Sequence, residues 1–173
     1  MNLIILSLSH FFHLLATVMW IGGIVMIILV ILPGVKATLE SASMVKSLMK
    51  DISKRFTPMA NISILVLIVT GIVIVNYEKN LTDFFDFNNP WNTVMFLKHF
   101  LVALMIIIHF YRGLILNPKI GKLSSKTNES QETSSLLSAK VTKLQKFSLN
   151  LVKTNLVLGF IVLFLTGISS SIN

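Results

Sequence analysis

LIILSLSHFFHLLATVMWIGGIVMIILVILP, residues 3–33, contains no aspartate, glutamate, lysine or arginine. A helix rises about 1.5 Å per residue, so roughly 20 mostly apolar residues cross the hydrocarbon core of a bilayer. This stretch is long enough to span, and three more like it follow. The predicted spans are about 3–32, 58–76, 92–116 and 147–170. The sequence thus predicts an all-α fold, an integral membrane four-helix bundle, as a single transmembrane domain over 1–173 that is multi-pass in the plasma membrane. The first span does not read as a signal peptide. It lacks a basic leading region, its apolar run is too long, and no small-residue cleavage site follows it. Prolines are expected at the ends of spans, where they cost a helix least. Pro33 should close the first, Pro58 open the second and Pro90 open the third, with Pro118 just past its end.

Composition supports the same class. Only 13% of the residues are charged and 54% are hydrophobic, with a mean hydropathy of +0.80. A soluble domain carries about 25% charged residues, and a chain of 173 residues is too short to hide this much apolar surface in a core. There is no cysteine, which excludes disulfides, thiolate metal sites and a cysteine nucleophile.

The net charge of +8 is topological rather than a nucleic-acid footprint. Loop one, 34–57, holds Lys36, Lys46, Lys50, Lys54 and Arg55. Loop three, about 112–146, holds Arg112, Lys119, Lys122, Lys126, Lys140, Lys143 and Lys146. Loop two, 77–91, has Lys79 against Glu78, Asp83 and Asp86. Basic loops stay in the cytoplasm, so both termini and loop two are expected outside. Within loop three, 124–135 has no apolar residue and reads as part of a flexible cytoplasmic loop over about 117–136. From Leu136 onward Leu137, Val141, Leu144 and Phe147 recur at helical spacing, a ramp into the fourth helix.

Polar and ionisable residues inside a membrane mark functional sites by default. All four histidines lie inside predicted spans: His10 and His13 in the first, His99 and His109 in the third. At about 100° per residue, His13 shares a face with Thr17, Trp20 and Ile24, and Met95, Lys98, His99, Val102, Met105 and His109 fill an arc of roughly 120°. With the first and third helices both entering from outside, His10 and His99 lie about 7 residues deep, with His13 one turn lower. His109 lies 10 residues beyond His99, about 15 Å deeper. Facing imidazoles ligate haem iron in helical bundles, with methionine the usual alternative, and imidazole with thioether also suits copper. The competing readings are plainer. A membrane histidine often serves as an interhelical hydrogen bonder, and methionine as apolar filler. Lys98 either snorkels to the surface or binds an anionic substrate or haem propionate. Trp20 either fills the core or packs against a planar ligand. No phosphate-cradling glycine loop, no carboxylate inside a span and no hydrolase constellation is present.

The stretch His13-Leu14-Leu15-Ala16-Thr17-Val18-Met19-Trp20-Ile21-Gly22-Gly23, running to Leu32-Pro33, resembles the first helix of the copper-resistance D (CopD) membrane superfamily. Arg55-Phe56-Thr57-Pro58-Met59-Ala60, leading to Thr70-Gly71, resembles its second. Lys98, followed eleven residues on by His109, is similar to the lysine and histidine of HemJ-type protoporphyrinogen oxidases. The resemblance implies a small helical bundle that binds haem b or copper, with His13 and His109 as the matched positions. Depth favours His99 as the partner of His13; the resemblance favours His109.

The candidate cofactor-binding residues are therefore His13, His99, His109, His10, Lys98 and Trp20, with His13, His99 and His109 as metal ligands. The leading expectation is a CopD-like protein binding haem b, or alternatively copper, and handling electrons or metal near the outer face. One rival is a structural or assembly subunit of a larger membrane metalloenzyme. Another is a HemJ-like porphyrinogen oxidase with a quinone acceptor. Whether the chain is an enzyme stays open. The expected partners are the lipid bilayer and other membrane subunits or further copies of this chain, and not nucleic acid.

Overall fold

The computed structural model describes residues 3–78, 88–129 and 134–172. Among them there is no strand. Helix α1 runs over Leu3–Thr38 and α2 over Ala42–Glu78. Helix α3 opens as Pro90–Phe110, passes through a π-helical stretch at Tyr111–Leu116 and continues over Asn117–Glu129. Helix α4 spans Ser134–Ile172. All four are long and apolar enough to cross a membrane. In lipid no water replaces a lost backbone partner, so sequences rich in Ile and Val, poor helix formers in water, become helices.

The prolines depart from expectation. Only Pro90 opens a helix as predicted. Pro33 does not close α1, which continues to Thr38, and Pro58 lies inside α2 rather than at its start. The stretch 34–57 between the first two predicted spans is helical except at 39–41. Pro118 lies within the continuing α3, and the expected loop over about 117–136 is helical through Glu129, while 130–133 lies outside the described residues. A proline lacks the N–H that the carbonyl four residues back requires, and its ring crowds that carbonyl. Before Pro33 and Pro118 the chain widens into π turns, at Met26–Ile31 and Tyr111–Leu116. There Leu32 donates its N–H to Ile27 O, and Asn117 donates to Arg112 O, each five residues back. Such a widened ladder lets a helix pass a proline instead of ending at it. Near Pro58 the Thr57 hydroxyl donates to Ser53 O at 2.7 Å. The charged loop-two residues Lys79, Asp83 and Asp86 lie outside the described residues.

The chain divides into two compact units, Met1–His99 with Leu163–Asn173, and Phe100–Val162. In the first, α1 packs along α2. Trp20, Ile64 and Ala60 are shut from the surface, with Ala16, Ile21, Ile24 and Ile74 close to it. Gly23 allows the closest approach: a Cβ there would overlap the Phe56 ring. Outward, Leu3, Ile4, Ile62, Leu65 and Phe164 are largely exposed, an apolar surface that the bilayer covers. In the second unit, Met105, His109, Leu116, Val141, Asn155, Leu156 and Val162 are buried. Asn155 joins α4 to α3 by donating from Nδ2 to Met105 O at 3.2 Å. Val141 and its helical neighbours belong to α4, which starts at Ser134 as the spacing from Leu136 onward indicates.

Candidate functional site

The functional geometry starts at His13, half-buried on α1. Its Nδ1 stands 2.8 Å from Thr70 Oγ1 on α2. A hydroxyl has one proton, and Thr70 spends it on Val66 O at 2.6 Å, the carbonyl one turn back. Thr70 therefore accepts, and His13 donates from Nδ1. In a neutral imidazole this leaves the lone pair on Nε2. A histidine whose Nδ1–H is held by a fixed acceptor is the arrangement that orients imidazoles toward metals. Gly71, next to Thr70, keeps α2 low under the ring: a Cβ there would lie 3.6 Å from His13 Cε1. Below, Thr17 donates its hydroxyl to His13 O at 2.8 Å, which closes off that carbonyl on the same face.

His99, on α3, has the same orientation by a different route. Its Nδ1 lies 2.7 Å from Met95 O, and a carbonyl can only accept. The proton is on Nδ1 and the lone pair on Nε2. Met95, one turn before His99, is buried. His99, Lys98 and His10 all lie within electrostatic reach of His13. His10, His13, Lys98 and His99 all lie in the first unit. Among the described residues no three histidine, aspartate or glutamate side chains stand as a ready metal cage.

Trp20 is 1% exposed and lies in the core of the first unit. His109 lies in the second unit, buried on α3 with its ring edge-to-face on Phe110 at 5.5 Å. Sequence reading names Thr70 only as part of the Thr70-Gly71 pair and misses it as the residue that decides which nitrogen His13 presents. Its signal was available: a Thr-Gly pair midway through an apolar span, where a hydroxyl needs a reason. Met95 was noted only as a member of a helix face.

Chemically, neutral imidazoles and a thioether are soft donors. Such donors suit copper, its monovalent state above all, and poorly suit the hard ions that need carboxylates. The family model described as copper resistance protein D matches residues 50–169. That range includes Thr70, Gly71, Met95, Lys98, His99, Met105, His109 and Asn155, and leaves out α1 with His13. No curated protein and no solved structure matches the chain.

Proposed function

The chain belongs to the copper resistance protein D family, a family of membrane proteins, and from that premise we propose that it takes copper as its substrate, bound by His13 and His99 and passed into the membrane. The observation that carries this reading is the Thr70 hydroxyl, which holds the His13 Nδ1–H and turns Nε2 outward as a ligand. His99, oriented by Met95 O, supplies the second imidazole, and Met95 stands by as a thioether. The site lies in the outer half of the bilayer, with both termini outside and the basic segments of α2 and α3 in the cytoplasm, in keeping with their lysines.

Lys98 has a defined part in this reading. A fixed ammonium beside an entering cation repels it, at an effective dielectric of about 20, by on the order of 1–2 kcal/mol. A cargo site benefits from that, because copper held too tightly would not move on. A resident haem held by the paired imidazoles is the second reading.

The test is copper binding by the full chain purified in detergent under reducing conditions, alongside copper accumulation in cells expressing it. His13→Ala should lose binding at this site while inserting normally, because one imidazole adds little to the hydrophobicity that drives insertion. Copper binding and accumulation unchanged in His13→Ala would refute the assignment. A haem absorption spectrum without bound copper would replace the copper reading with the haem one.

A further inference from the structure

Helix α3 repeats one step twice: Met95-Phe96-Leu97-Lys98-His99 and, ten residues later, Met105-Ile106-Ile107-Ile108-His109. In each, a methionine and a histidine four residues apart share a helix face. The first step belongs to the site already described. The second lies wholly within the unit Phe100–Val162 and has no part in it. Met105 has no exposed surface, and His109 is 9% exposed. Helical side chains lean toward the N-terminus, so the His109 ring covers the turn that Met105 opens. Asn155 comes to the same turn from α4, its Nδ2 donating to Met105 O at 3.2 Å. Asn155 is itself 4% exposed, and its Oδ1 is buried with no hydrogen bond. A buried acceptor without a donor calls for an electropositive partner.

We propose that Met105, His109 and Asn155 form a second locus for monovalent copper, with the Met105 thioether and the His109 imidazole as ligands and Asn155 Oδ1 as a weak third donor. Thioether and imidazole are the soft and borderline donors that select this ion, and an amide oxygen is a known weak axial partner in copper sites. The absence of a carboxylate from Met105, His109 and Asn155 excludes the hard divalent ions. The interhelical bond from Asn155 Nδ2 fixes the amide, so its oxygen is aimed rather than adaptable. The proposal rests on copper being the substrate and gives that cargo a second resting place, further along α3 than His99.

The experiment is a titration of the detergent-purified full chain with Cu(I), in competition with a chromogenic Cu(I) chelator, followed by X-ray absorption at the copper edge. Wild-type protein should bind more copper than His13→Ala, and His13→Ala should keep copper with a sulfur neighbour. Adding Met105→Leu, which conserves volume, should remove that sulfur signal and weaken the remaining binding by about tenfold or more. Adding Met95→Leu instead should leave both unchanged. His109→Gln, which keeps a hydrogen bonder in place, serves as the second variant and should weaken the same binding. Copper and sulfur signal that survive Met105→Leu in the His13→Ala background would overturn the proposal, as would a His13→Ala protein that retains no copper. Loss on Met105→Leu with no effect of His13→Ala would keep this locus and discard the His13 site. A wild-type chain that binds no copper would discard both.

Discussion

Thr70 is the residue on which the chemistry of the His13 site turns. It converts His13 from an imidazole of either tautomer into one that presents Nε2. Hydrogen-bond partners that orient a metal-binding imidazole typically carry 10–100-fold in metal affinity. Thr70→Val keeps the shape and removes the hydroxyl, so copper affinity should fall by about that factor, while Thr70→Ser should restore most of it. Equal affinity in Thr70→Val and wild type would show that the hydroxyl only ties α1 to α2. The paired replacement of His13 and His99 by Gln separates a working site from a structural relic. An amide keeps the interhelical hydrogen bonds, worth about 0.6 kcal/mol each in membranes, but is a poor copper ligand. The double variant should fold and lose copper accumulation; full accumulation would favour a purely structural role. Lys98→Met should tighten copper binding by roughly tenfold as the repulsion disappears, measured by the same chelator competition.

At the scale of elements, the two long helices α1 and α2 meet where a glycine lets them. Gly23 faces Phe56 so closely that a methyl group would enter the ring, whereas nothing lies within 4 Å of a Cβ at Gly22. Neighbouring glycines therefore make a controlled pair. Gly23→Ala should lower the thermal midpoint of the detergent-solubilised protein, overpacking of this kind costing about 1–3 kcal/mol. Gly22→Ala should be neutral or stabilising, since alanine is the better helix former by up to about 1 kcal/mol. Phe56→Leu should rescue Gly23→Ala more than additively, because the two residues are in contact. Gly23→Ala as stable as wild type would mean that α1 and α2 part at this point without loss.

At the scale of the whole molecule, orientation follows from where the basic residues lie. A cysteine at Ser125, exposed on α3 and expected on the cytoplasmic side, should resist an impermeant thiol reagent in intact cells, and one at Asn80 should react. Reversed labelling would turn the His13 site to the cytoplasm and reverse the direction of copper movement. Much of this architecture was legible beforehand. Hydropathy and length alone determined that four helices cross a bilayer, because lipid leaves the backbone no other way to satisfy its N–H and C=O groups. Counting rise per residue along α1 and α3 singled out His13 and His99 as candidates at similar depth, because that rise is nearly constant in any helix. Helix ends were not legible. Pro33, Pro58 and Pro118 read as markers of span ends, yet helices continue through all three, with π turns before Pro33 and Pro118. Those compensations involve partners that a linear pattern does not display. The roles of Thr70 and Asn155 were decided by tertiary structure alone: each depends on an atom 50 or more residues away, and periodicity along one helix carries no record of which turn of another helix it meets.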